Sequence, residues 1–233
     1  MPFQFKQFSI NDNRCAMKVG TDGVLIGAWV DVSESKTILD IGTGSGLIAL
    51  MLAQRTTAEV KIDGIEIETE SALQAQENIT QSAWAQKIKI HSCAIQDFNG
   101  DYKYDLIVSN PPYFINSLAP PSGKRKEARH TSSLSYEDLL ISASRLLSDH
   151  GRLAVILPVK EGNAFLSLAQ FQGLYCSRQL AFFSREGKPQ ERWLFEFSRL
   201  PQTLKSENLT LFNNLEWSEA YKKLVFDFYI HKL

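Results

Sequence analysis

Lys36-Thr37-Ile38-Leu39-Asp40-Ile41-Gly42-Thr43-Gly44-Ser45-Gly46, running on into the helical run Leu47 to Gln54, decides the fold. A short apolar strand meets a glycine-rich turn, and the turn opens a helix. Working outward, the same alternation repeats. Val60 to Ile67 reads as a strand and Glu70 to Gln81 as a helix; Lys87 to Ser92 and Tyr104 to Val108 read as two further strands. Leu134 to Ser148 is the next helix, Arg152 to Leu157 a strand, and Glu161 to Gln172 a helix. Leu174 to Phe183 and Gln190 to Phe197 then form strands around Gly187-Lys188-Pro189. Strand alternating with helix means an α/β fold, with a largely parallel sheet covered on both faces. The final hairpin puts one antiparallel strand at the sheet edge. In front of this core, Phe3 to Val19 reads as a β-hairpin around Asn11-Asp12-Asn13, and Thr21-Asp22 cap a short helix through Trp29. The chain thus divides into a hairpin and helix at 1–31, a core at 36–200 and a tail at 201–233, all within one domain.

Composition bounds the function. Of 233 residues, 44% are hydrophobic and 22% charged, as in a soluble globular protein. A net charge of −1 excludes a wholesale polycation, so any nucleic-acid surface has to be local. Cys15, Cys93 and Cys176 are odd in number and far apart, which argues for reduced thiols and against a disulfide framework or a zinc site. No 18-residue apolar run and no signal-peptide core are present, so neither a membrane nor secretion is expected. A cytoplasmic monomer without a metal is the expectation.

Two acids sharpen the glycine loop. Gly42, Gly44 and Gly46 serve a tight turn, close approach of a ligand, and packing of helix on sheet. Asp40 stands before the first glycine, where a dehydrogenase wants an apolar residue. Glu66 ends the second strand, where a carboxylate binds both hydroxyls of a ribose. The plainer reading makes Asp40 a helix cap and Glu66 a solvated strand end. Both sit at carboxyl ends of parallel strands, where ligands bind in such sheets, and this favours the functional reading. Asp97 is placed to accept from an adenine amino group, with Phe98 covering the ring.

The second motif is Ser109-Asn110-Pro111-Pro112-Tyr113, at the end of the strand Tyr104 to Val108. The two prolines fix their own φ and keep the preceding residues extended. Asn110, Pro111, Pro112 and Tyr113 therefore form a rigid corner. The Asn110 oxygen and the Pro111 carbonyl accept hydrogen bonds from a planar amino group, and Tyr113 stacks on its ring.

Together, in that order, these residues resemble a class I S-adenosylmethionine-dependent methyltransferase acting on amino or amide nitrogen. More narrowly, the chain is similar to the bacterial tRNA (adenine-N6) methyltransferases that modify valine tRNA at the adenine 3′ of the anticodon. Met17 to Leu25, Ala128 to Thr131, Arg185 to Pro189 and Asp227-Phe228-Tyr229 carry the closer match. The resemblance spans nearly the whole chain; the loop Ala119 to Lys126 departs from any family signature. It implies a doubly wound, Rossmann-like, seven-stranded sheet with one antiparallel edge strand. It also implies S-adenosylmethionine held by Asp40 and the glycines, with Glu66 on the ribose and Asp97 on the adenine.

Lys124, Arg125, Lys126, Arg129 and His130, opposed only by Glu127, follow the corner and are assigned to RNA backbone contact. Charge runs are more often solvated loops, but this one begins at the catalytic corner. Arg178, Arg185, Lys188 and Arg192 extend the patch. Phe3, Phe5, Phe8 and Trp29 read as packing residues. Rival assignments are a protein glutamine methyltransferase, a guanine-N2 RNA methyltransferase, a DNA adenine methyltransferase, and an inactive nucleotide-binding module. A dehydrogenase is disfavoured because the loop is G-x-G-x-G rather than G-x-G-x-x-G.

Overall fold

A computed structural model describes residues 2–112 and 134–230 of the chain. After the two-stranded hairpin β1 (Phe3–Gln4) and β2 (Ser9–Ile10) comes helix α1 (Thr21–Trp29). The first half of the core is β3 (Thr37–Ile41), α2 (Leu47–Gln54), β4 (Lys61–Glu66), α3 (Thr69–Thr80) and β5 (Ile88–Ser92). The second half is β6 (Tyr104–Ser109), α4 (Tyr136–Leu146), β7 (Leu147–Pro158), α5 (Val159–Phe171), β8 (Tyr175–Arg185) and β9 (Arg192–Ser198). The chain then continues through β10 (Lys205–Asn213), β11 (Glu216–Trp217) and α6 (Glu219–Val225).

Successive residues of the central strands are buried on opposite faces, which is why the strands read as unbroken apolar runs. Ile38 and Val108 join a core with α1, α2, α3 and α6, while Leu39 and Ile107 join one with α4 and α5. Each such side chain, fully buried, contributes roughly 1.5–3 kcal/mol.

The strand order is β11-β10-β8-β9-β7-β6-β3-β4-β5. β3 is parallel to β4 on one side and to β6 on the other. The chain therefore winds outward in two directions from β3. The crevice between the carboxyl ends of β3 and β6 is the switch point where ligands bind in sheets of this kind.

The α/β class, the mostly parallel sheet and the leading hairpin stand as expected, with four corrections. The sheet has nine strands among the described residues, not seven. β9, antiparallel to both β7 and β8, lies between them and not at the edge. The hairpin return fills a space left open when α5 carried the chain past β7. β10 then adds parallel to β8 and β11 antiparallel to β10. The tail was hard to read because β10 is an exposed strand, with only Leu209 buried and no apolar alternation to mark it. Thirdly, the N-terminal hairpin turns at Phe5–Phe8, where Phe5 N–H donates to the Phe8 carbonyl, and not at Asn11–Asn13. Finally, Gly20 precedes α1 without a side-chain cap, and Asp22 binds the Arg192 guanidinium at 2.9 Å.

Candidate active site

The glycine loop is shaped from beneath. Gly42 and Thr43 N–H both donate to the Ile65 carbonyl at 2.9 Å, tying the loop to the end of β4. Gly42, Gly44 and Gly46 have φ of 73°, 55° and 82°, a conformation that side chains disfavour. A Cβ at Gly42 or Gly44 would meet nothing within 4 Å, so the loop faces open space there. At Gly46 it would lie 3.5 Å from Ala75, so this glycine serves helix packing.

Asp40 is fully buried under this loop. Its Oδ2 accepts from the Thr43 hydroxyl at 2.6 Å and from Ala49 N–H, in the first turn of α2, at 3.1 Å. The helix-cap reading is thus correct as far as it goes: this carboxylate caps α2 from the adjoining strand. Its Oδ1 is buried without a hydrogen-bond partner among the described residues. Burial pushes the carboxyl up to about 7, and the charge of Glu66 adds to the rise; Thr43 and Ala49 pull the other way.

Glu66 is buried too, and is not a solvated strand end. Its Oε2 accepts from Gly44 N–H at 2.9 Å and its Oε1 from Glu68 N–H at 3.0 Å. Each oxygen keeps a second lone pair for a ligand hydroxyl.

The Asn110 corner arrives beside this loop through register alone. Ile41 pairs with Ser109, and Ser109 Oγ donates to the Ile41 carbonyl at 2.9 Å. Adjacent strands lie about 4.8 Å apart, so Asn110 leaves β6 next to Gly42 leaving β3. Asn110 is half-buried, Pro111 buried and Pro112 exposed. Tyr113, Lys124, Arg125, Lys126, Arg129 and His130 lie outside the described residues.

The adenine expectations fare differently. Phe98 is buried, its ring 4.9 Å from His91 and 6.5 Å from Tyr104, so it is committed to the core and not to a ligand. The surrounding loop is anchored by Asp63, which accepts from the Tyr102 and Tyr104 hydroxyls at 2.6 and 2.8 Å and meets His91 at 2.6 Å. Asp97 is exposed in a turn, its N–H on the Ala94 carbonyl. Cys93 N–H donates to the Glu66 carbonyl at 3.1 Å. Ile67, directly after Glu66, is 47% exposed. Sequence reasoning passed over both. The available signal was an apolar residue following a strand-terminal acid.

The suggested basic extension divides. Arg178 pairs with Glu207 at 2.8 Å and lies 4.3 Å over the Trp29 ring, and Arg192 holds Asp22, so both are structural. Arg185 and Lys188 remain exposed on the β8–β9 hairpin.

A glycine loop over a buried acid, a second acid at the next strand end and an Asn-Pro-Pro corner across the switch point define a class I methyltransferase. Residues 19–173 match the model of the family described as "Methyltransferase small domain". A relative from Bacteroides fragilis, 48% identical over 98% of this chain and 97% of its own, is named tRNA1(Val) (adenine(37)-N6)-methyltransferase. One from Trichodesmium erythraeum with the same name is 47% identical, again covering 98% and 97%. Among solved structures, an Agrobacterium tumefaciens protein described as a predicted O-methyltransferase superposes with a TM-score of 0.69 at 16% identity, over 89% of this chain and 96% of its own. A TehB-like SAM-dependent methyltransferase from Corynebacterium glutamicum gives 0.51 at 18% identity, over 78% and 89%. The chain belongs to the methyltransferase small domain family and, within it, to the family of these tRNA1(Val) (adenine(37)-N6)-methyltransferases.

Proposed function

We propose that this protein transfers a methyl group from S-adenosylmethionine to the exocyclic N6 of adenine 37 in a valine tRNA, in the cytoplasm. The observation that carries the reading is the β3–β6 register, which sets the Asn110 corner beside the glycine loop. The residues present fit the cofactor: open space over Gly42 and Gly44, a buried oxygen on Asp40 without a partner among the described residues, and a Glu66 carboxylate with lone pairs to spare. Asp40, fully buried, acts on the methionine ammonium through water; Glu66 takes the ribose hydroxyls, with Ile67 and Cys93 flanking the adenine. Asp97 is the weaker candidate for the adenine amino group.

When bound, the cofactor supplies an electrophilic methyl on a sulfonium. The protein's part is to prepare the nucleophile. Adenine N6 is a poor one, because its lone pair is delocalised into the ring. Hydrogen bonds from the amino group to the Asn110 side-chain oxygen and the Pro111 carbonyl draw the nitrogen towards a pyramidal shape and aim the lone pair at the glycine loop. The prolines hold both acceptors in place before substrate arrives. Tyr113 stacks on the flipped base, and Lys124, Arg125, Lys126, Arg129 and His130 contact the RNA backbone.

The test is to incubate the purified protein with labelled S-adenosylmethionine and a valine tRNA transcript, then digest to nucleosides. Label should appear as N6-methyladenosine and vanish when adenine 37 is replaced by guanine. Label on guanosine, or on a protein glutamine with none in tRNA, would overturn the acceptor assignment.

A further inference from the structure

Asn78, on α3, is buried and bonds three backbone groups of two distant segments with one side chain. Its Nδ2 donates to the Ser45 carbonyl in the glycine loop at 2.8 Å and to the Asn11 carbonyl at 2.7 Å, and its Oδ1 accepts from Asn11 N–H at 3.0 Å. Both amide protons are used, and an amide is the one neutral side-chain group that gives two such bonds while accepting a third.

Asn11 opens the segment 11–20 that joins β2 to α1. The segment is internally braced: Asp12 accepts from Val19 N–H at 2.9 Å, and Lys18 Nζ bonds the Asp12 and Cys15 carbonyls at 2.6 and 3.2 Å. It climbs α3 from Asn78 past Gln74, which Arg14 Nε reaches at 3.4 Å, to Cys15, buried beside Ser71. It runs into α1, where Asp22 in the first turn is held by Arg192 at the start of β9. Its anchors, on α3 and at the start of β9, thus lie on opposite sides of the switch point, and it forms a strap between them.

We propose that Asn78 is a positioning residue for the cofactor: by tying this strap and the Ser45 carbonyl to one amide, it fixes where the glycine loop stands relative to the strap. The inference rests on the S-adenosylmethionine reading above. It assigns Asn78 to cofactor affinity and not to the acceptor chemistry.

The test compares wild type, Asn78→Ala, Asn78→Ser and, as a control on the opposite face of the sheet, Phe165→Leu. S-adenosylhomocysteine is titrated calorimetrically into the full chain, and steady-state kinetics with tRNA give KM and kcat. Asn78→Ala should weaken cofactor affinity about tenfold, the equivalent of roughly one lost buried hydrogen bond. Asn78→Ser, which retains one donor and leaves room for a water, should show a smaller loss and serves if the alanine variant fails to fold. At saturating cofactor, kcat and the KM for tRNA should stay within about twofold of wild type. Phe165→Leu should leave affinity unchanged at a comparable loss of melting temperature. Wild-type affinity in a folded Asn78 variant, a fall in kcat with affinity unchanged, or an equal effect of Phe165→Leu would each overturn the proposal. Wild-type protein that fails to bind S-adenosylhomocysteine would instead remove the cofactor reading itself.

Discussion

The two sides of the crevice are built by opposite means. On the β3–β4 side, polar side chains are buried and bound to backbone: Asp40 to Ala49, Glu66 to Gly44 and Glu68, Asn78 to Ser45 and Asn11. On the β6 side, shape comes from proline torsions and one strand register, and Asn110 is left only half-buried. The first arrangement is made for holding, since each buried polar group already has partners that fix its direction. The second is the side to which the proposed reaction is assigned, with its shape set by torsions and register rather than by buried polar contacts.

That contrast breaks most readily at Asn110. Asn110→Ala should lower kcat by about 10²–10³, with S-adenosylhomocysteine affinity near wild type; single-turnover kinetics beside calorimetry check it. Equal losses of affinity and rate would show that the two sides are not separable. Glu66→Ala is the reciprocal experiment. Losing hydrogen bonds to a charged group should weaken cofactor binding by roughly 10–100-fold, with a smaller effect on kcat at saturation, and calorimetry reads it directly.

A smaller effect sharpens the role of Asp40. Its folded pKa of about 7 lies above the ordinary carboxylate value of 3.8, so the folded state holds this proton longer than the unfolded one. Its contribution to stability therefore falls as pH rises from about 4 to about 7 and is constant above that. A cationic ligand favours the ionised form, so cofactor affinity should rise a few-fold between roughly pH 6 and 8. Asp40→Asn should flatten both profiles, as urea melts and titrations across that range would reveal. A wild-type affinity independent of pH would separate Asp40 from the ligand.

The smallest effect concerns the basic residues. Arg178→Ala should cost about 1 kcal/mol of stability and leave the salt dependence of tRNA binding unaltered, because its guanidinium is taken by Glu207 and Trp29. Replacing Lys124, Arg125 and Lys126 together should flatten that dependence, since fewer counterions are released. Filter binding across a salt series distinguishes the two outcomes.

Local chemistry in the sequence was enough for the strand–glycine–helix unit, the acid at Glu66 and the rigidity of Asn110-Pro111-Pro112. Torsional demands of glycine and proline, and apolar runs long enough to be buried on both faces, act over a few residues and leave a mark there. Tertiary structure decided the rest. That Asp40 caps α2 while leaving one oxygen without a partner among the described residues, that Phe98 turns into the core, and that Asn78 joins the glycine loop to Asn11, 67 residues before Asn78, all depend on contacts between distant segments. So does β10, a mostly exposed strand that pairs because β8 offers it an edge. A polar side chain carries the same chemistry whether solvated or buried. Its partners are chosen only when the sheet closes, and no pattern along the chain records that choice.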